Sequence, residues 1–151
     1  MLSFSVSGRI SKPVSEVFEA IVNPDRLSGY FTTGGAEGRM EPGATVLWSF
    51  AEFPGQFPVR VSEVVKDRKI VLHWASDEQT DGEDQGETTV TLELSELDDG
   101  RTLINISEEG WGETAKGSKA SYGNCEGWTQ MLCCLKAFVE HGINLRDGYY
   151  A

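Results

Sequence analysis

Basic residues are scarce in this chain: 13 Lys and Arg stand against 24 Asp and Glu, a net charge of −11. They form no run anywhere, so the clustered cations that displace counterions from nucleic acid phosphates or grip anionic headgroups are missing. Long apolar stretches are also lacking, since nothing approaches the ~18 residues of a transmembrane helix. The N-terminus, Met1 to Arg9, has no basic segment followed by an apolar one, so it does not read as a signal peptide. The expected location is the cytoplasm, with no nucleic acid partner and no membrane insertion. Histidine is limited to His73 and His141, and cysteine to Cys125, Cys133 and Cys134, with no C-x-x-C pair. A zinc site needs paired ligands at tight spacing, so no metal and no cofactor is expected, and the thiols read as buried small hydrophobes. No Ser/His/Asp order, H-E-x-x-H, P-loop or dinucleotide fingerprint occurs, which leaves hydrolase, kinase and dehydrogenase readings without support.

At 151 residues the chain is expected to form one domain, residues 1–151. A domain of that size buries roughly 68–70% of its unfolded surface and needs no disulfide or structural metal. Strand patterns dominate. Residues 3–10 alternate, with Phe4 and Val6 on one face. Similar alternation places Val46, Trp48 and Phe50 together in Ala44–Glu52, and Phe57, Val59 and Val61 together in Phe57–Val65, with Arg60 opposite and exposed. Ile70, Leu72 and Trp74 share a face of Lys69–Ala75, as do Val90, Leu92 and Leu94 of Thr88–Leu94. Asp98-Asp99-Gly100 is a hairpin signal before Thr102–Glu108, where Ile104 and Ile106 align. Short turns between strands mean an antiparallel meander rather than βαβ units.

Helical period appears twice. After Ser11-Lys12-Pro13, Val14, Val17, Phe18 and Ile21 recur at i, i+3, i+4 and i+7. A second short helix follows through Asp25-Arg26-Leu27, with Asn23 as its N-cap, before a Gly-rich turn at Gly34, Gly35 and Gly38. The longest helix runs from about Ser118 to His141, with Trp128, Met131, Leu132, Leu135 and Val139 in one stripe and Gly142 as the C-cap. A sheet of about six strands must cover its apolar face, and only this helix is long enough to do so. The expected class is therefore α+β: a curved antiparallel sheet, two short helices, and a long C-terminal helix over an apolar cavity.

The ordered motifs carry a resemblance. Arg9-Ile10-Ser11-Lys12-Pro13-Val14 with Val17-Phe18-Glu19-Ala20, then Asn23-Pro24-Asp25-Arg26-Leu27, Val61 to Val65 with Ile70 to Trp74, Glu108-Glu109-Gly110-Trp111, and Gly127-Trp128 with Leu132, Leu135 and Lys136 run in sequence over nearly the whole chain. The set resembles the activator of heat-shock-protein-90 ATPase homologue family, within the START-like (SRPBCC) helix-grip superfamily. Tyr30 departs from the Trp that relatives usually carry before Phe31. The resemblance implies the helix-grip fold. It leaves open lipid, sterol or hormone binding, cyclase chemistry, or a co-chaperone role.

Candidate site residues follow from the inward faces. Trp48, Phe50, Trp74, Trp128, Leu132 and Leu135 are expected to line a cleft between sheet and helix, with Tyr30, Glu108 and Trp111 near its mouth. Glu108 continues the Thr102, Ile104, Ile106 register. It reads either as a rim residue at a fraying strand end or as a pocket acid. His73 alternates with Leu72 and Trp74, so it should face solvent without an orienting partner, and His141 suits the negative end of the helix dipole. Asp77–Glu87, with six carboxylates, reads as a solvated loop; its calcium-loop likeness fails at Gln79 and Thr88. The leading functional expectation is non-catalytic binding of a small apolar molecule. The alternatives are a chaperone-interaction module and, third, a cyclase- or hydrolase-like enzyme using Glu108. A homodimer through an edge strand is also compatible with the pattern.

Overall fold

The computed structural model describes residues 1–76 and 86–150. The elements follow in the order β1 (Leu2–Ile10), α1 (Val14–Val22), α2 (Pro24–Leu27), β2 (Gly35–Glu37), β3 (Thr45–Ser49), β4 (Gln56–Val65), β5 (Lys69–Ala75), β6 (Glu87–Glu96), β7 (Thr102–Trp111) and α3 (Ala115–His141). The strands make one antiparallel sheet in the order β1-β7-β6-β5-β4-β3-β2. This is the curved sheet with a long C-terminal helix that the alternating pattern predicts. Alternation fixes which side chains turn inward: Val59, Val61, Ile70, Leu72, Val90, Leu92, Ile104 and Ile106 are buried. The stripe Trp128, Met131, Leu132, Leu135 and Val139 of α3 closes over them.

The helix ends are set by local chemistry. Asn23 accepts a hydrogen bond from the Asp25 N–H at 3.0 Å and caps α2. α3 starts one turn earlier than expected, because Thr114 accepts from the Gly117 N–H at 3.0 Å and provides a cap before Ser118. It ends at Gly142, which takes the left-handed conformation (φ 68°), while Ile143 N–H reaches back to the Ala137 carbonyl. Of the three cysteines, which were expected to be buried, only Cys134 is; Cys133 lies on the exposed side of α3, out of phase with the apolar stripe.

Two departures from simple alternation matter for the site. The segment read as a Gly-rich turn contains a seventh strand, β2, paired to β3 with Ala36 opposite Trp48. Gly34 permits this, since a Cβ there would lie 2.8 Å from that of Ser49. In β7 the pairing jumps from Ser3–Glu109 to Leu2–Trp111, leaving Gly110 as a bulge with φ +127°. That extra residue turns Trp111 to the inner side, where it stacks on Phe4 at 5.6 Å between centroids. The calcium-loop positions Asp77, Gln79, Asp81 and Gly82 lie outside the described residues. Among the described residues no helix is long and apolar enough to cross a membrane.

Candidate functional site

Glu108 sits on the inner face of β7 and is 1% exposed. A buried carboxylate is costly unless its lone pairs are engaged, and here four neutral donors converge on it. Oε2 accepts from Trp74 Nε1 at 2.9 Å and from Thr88 Oγ1 at 2.6 Å. Oε1 accepts from Trp128 Nε1 at 2.8 Å. Asn124 Nδ2 reaches both oxygens, at 3.1 and 3.0 Å. These donors come from β5, β6 and α3, so the carboxylate ties three elements to β7. With about four lone-pair sites on a carboxylate, this set fills them.

The two indoles held by Glu108 belong to an aromatic cluster. Trp48, Trp74 and Trp128 lie 5.6–6.5 Å apart, centroid to centroid. Phe31 sits against Trp48, Phe50 and Trp128 at 5.2–5.6 Å. Phe50 continues outward to Phe57 at 5.9 Å. Most contacts are edge-on or tilted, the arrangement that ring quadrupoles favour. Trp48 and Trp128 are buried, whereas Trp74 and Phe50 are half-buried and Phe53 and Phe57 are exposed, so the cluster runs from core to surface.

A cation stands where the cluster meets the surface. The guanidinium of Arg146 lies 5.5 Å from the Phe31 centroid, 5.1 Å from Phe50 and 4.9 Å from Tyr150. Its Nε donates to Glu52 Oε1 at 3.3 Å. Burial favours the neutral form of Glu52, but its own backbone N–H, the Thr33 hydroxyl and Arg146 together outweigh this and hold its carboxyl below the usual range.

The structure brings together Trp48, Phe50, Trp74, Trp128 and Glu108 from the expected set. The three residues expected near the mouth, Tyr30, Glu108 and Trp111, are all fully or almost fully buried, and of them only Glu108 joins the cluster. Tyr30 is buried behind the cluster, its hydroxyl donating to the Ala20 carbonyl at 3.1 Å and its ring stacked on Phe138. Trp111 packs with Phe4 at the β1 side because of the Gly110 bulge. Leu135 is core, and Leu132 lines a separate cavity of about 350 Å3 between β1 and α3, with Val6, Ile10 and Ile104. Another recess of about 470 Å3 lies over β1, β7 and β6 and is lined by Ser3, Ser5, Thr89, Thr91 and Ser107.

His73 faces away from the core as expected, but it is not partnerless. Its Nε2 lies 2.8 Å from Ser62 Oγ and its Nδ1 3.1 Å from Thr89 Oγ1. The pairing of β4 with β5 jumps across Ser62, and no sequence period announces that bulge. Residues missed in the sequence are Phe31 as a site aromatic, Thr88 and Asn124 as partners of Glu108, and the pair Glu52–Arg146. The polar character of Thr88 on an otherwise apolar inward face was the available signal for the first partner.

The fold and the site define a START-like helix-grip domain. Over residues 11–140 the chain matches the family described as "Activator of Hsp90 ATPase homolog 1-like protein", and it belongs to that family. No curated protein matches it in sequence. Among solved structures, protein SSP2350 from Staphylococcus saprophyticus is similar at 25% identity and a TM-score of 0.76, with 96% of each chain covered. Protein MLL2253 from Mesorhizobium loti is similar at 18% identity and a TM-score of 0.78, covering 94% of this chain and 99% of that one. The Aha1 dimer from Colwellia psychrerythraea shares the fold at 17% identity and a TM-score of 0.73, covering 94% and 98%.

Proposed function

We propose that this protein is a non-catalytic binder of a small apolar, ring-bearing molecule, received between the sheet and α3. The observation that carries the reading is the aromatic cluster Phe31, Trp48, Phe50, Trp74 and Trp128, two of whose three indoles hang on a saturated buried carboxylate. An indole fixed by a hydrogen bond presents its face without losing further rotamer freedom on binding, which is the economy of a preorganised site. Glu108 in this reading orients Trp74 and Trp128 rather than touching the ligand. Leu135, Tyr30 and Trp111 form the packed wall behind. The rings touch, so binding requires the surface end of the cluster to part.

Native mass spectrometry of freshly purified protein, compared with its denatured mass, tests the reading. A bound molecule of reproducible mass, together with quenching of tryptophan emission by added naphthalene derivatives, supports it. A clean apo mass with unchanged emission sinks it.

A second reading, a co-chaperone of a heat-shock ATPase, is favoured by the family match over residues 11–140. Retention of the host chaperone on the immobilised protein is its test, and absence of retention removes it. The Colwellia relative is described as a dimer, and the edge strands β1 and β2 offer this chain the same option. Light scattering on the eluting protein decides it.

A further inference from the structure

We propose that Arg146 is the specificity residue of this site and that the ligand class is an aromatic or apolar acid, bound through its carboxylate. The inference rests on the binding reading above. Arg146 is 6% exposed, and its guanidinium is packed among three rings at the surface end of the cluster. A guanidinium carries five N–H donors in a fixed fork. Only Nε is engaged, by Glu52 Oε1 at a long 3.3 Å. Among the described residues no hydrogen bond reaches Nη1 or Nη2, and neither atom is sealed from solvent, so the four donors of the fork are open to a ligand.

A pair of Nη groups pointing end-on matches one carboxylate, with two parallel charge-assisted hydrogen bonds. The position adds the apolar half of the ligand: the same guanidinium stacks on Phe31 and Phe50, the outer members of the cluster that ends at Trp48 and Trp128. An acid with a ring a few bonds from its carboxylate would lay the ring among these aromatics and the carboxylate on Nη1 and Nη2. In a protein of net charge −11, a local buried cation is what an anionic ligand requires. Glu52 holds Arg146 in this orientation without occupying the fork.

The segment that carries Arg146 follows the α3 C-cap. It is held by the Glu52 contact, by the stacking of Arg146 on Phe31 and Phe50, and by Gln130 Nε2 donating to the Tyr149 hydroxyl at 3.2 Å, while Ile143, Leu145 and Tyr149 are exposed. Parting this strap from the Phe50–Phe53 turn opens the surface end of the cluster, so the residue that reads the ligand also sits on the element that admits it.

The test compares 1-naphthaleneacetate with its neutral isostere 1-naphthaleneacetamide, by calorimetry and tryptophan emission on the full chain. The acid is expected to bind wild type more tightly by roughly 10- to 100-fold, the worth of hydrogen bonds to a charged group. Arg146→Gln should abolish that preference while leaving the amide within about twofold, and Arg146→Lys, which keeps charge but not the fork, should recover only part of it. Binding of the amide as tight as that of the acid to wild type overturns the assignment of Arg146 and leaves the apolar site standing. An acid preference that survives Arg146→Gln in a variant that melts like wild type also overturns it. Failure of both compounds to bind overturns the site and the inference together.

Discussion

The indole N–H of Trp128 donates to Glu108 Oε1 at 2.8 Å in the interior, joining α3 to β7 across the sheet–helix interface. Trp74 does the same from β5 to Oε2, so one acid holds two rings at fixed angles. Removing Glu108 takes the acceptor from four donors, whereas removing Trp128 leaves Oε1 with the Asn124 amide alone. Trp128→Phe keeps an aromatic ring but deletes the donor and shrinks a buried side chain, and should cost at least about 1.5–3 kcal/mol in a urea melt at neutral pH, the range for a hydrogen bond to a charged group, with a cavity contribution on top. Glu108→Leu should cost roughly 3–5 kcal/mol, since four donors lose their acceptor at once. The double variant should cost less than the sum by about 0.5–3 kcal/mol, because the two changes remove a shared contact. Strict additivity would mean that the bond contributes nothing beyond packing.

Gly110 offers a sharper backbone test. Its φ of +127° disfavours any side chain, and a Cβ would lie 2.8 Å from the Glu87 carbonyl oxygen and 3.1 Å from Thr88 Cα. Both neighbours are backbone of β6, so nothing flexible can yield. Gly110→Ala should cost more than the roughly 1–3 kcal/mol of local strain alone, and it should disturb the Thr88–Glu108 contact next door. Gly43, with φ +83° and open space around it, supplies the control: Gly43→Ala carries strain without the clash. Equal losses for the two substitutions, read from denaturant midpoints, would show that the close approach of β6 is unimportant.

These residues also show which parts of the molecule the sequence discloses. Period-two alternation makes the inward set of β4 to β7 readable, and parity alone sends Glu108 to the core side with Ile104 and Ile106. The partners of Glu108 are not readable, because Trp74, Thr88 and Trp128 meet it only through a strand register and a helix placement that local pattern does not encode. Bulges defeat parity. Trp111 would face outward in an unbroken β7, and one glycine reverses it. β2 escaped notice because its glycines look like turn residues until β3 is placed beside them. Arg146 was hidden differently: it follows the last periodic segment, where no pattern assigns a side chain to a face.

Acid titration of Glu19 checks the electrostatics at the far side of α1. Bidentate hydrogen bonds from Arg39, at 2.8 Å each, hold its carboxyl down at about 2, with Asn23 helping and slight burial opposing. The folded value lies below the unfolded one, about 4.3. The stabilisation is therefore fully present above that pH and is lost as pH falls toward 2. Both side chains are more than a third exposed, so solvent screening limits the effect to less than about 1 kcal/mol. In Arg39→Ala, carboxyl NMR should find Glu19 moved up toward the ordinary range, with slightly lower stability at neutral pH and no difference from wild type at the acid extreme. Wild-type Glu19 titrating near 4 would refute the bidentate geometry.

The contact between Glu52 and Arg146 makes the strap itself sensitive to acid, with the same sign. Glu52 is mostly buried, which by itself would raise its pKa, yet its own N–H, the Thr33 hydroxyl at 2.9 Å and Arg146 together lower it. Because the folded value is depressed, the tether is intact above the unfolded carboxylate pKa of about 4.3 and loosens only as pH falls through the lower folded value. The Arg146 Nε–H resonance should therefore hold its position through the range where ordinary carboxylates titrate. It should then shift together with the Glu52 carboxyl signal at lower pH, and amides of 146–150 should exchange faster from that point. In Glu52→Gln the acid transition of the Nε–H should vanish, since no proton is left to take up. A resonance that instead follows the bulk carboxylate titration would show that the strap is held by stacking on Phe31, Phe50 and Tyr150 alone, with the ion pair a bystander.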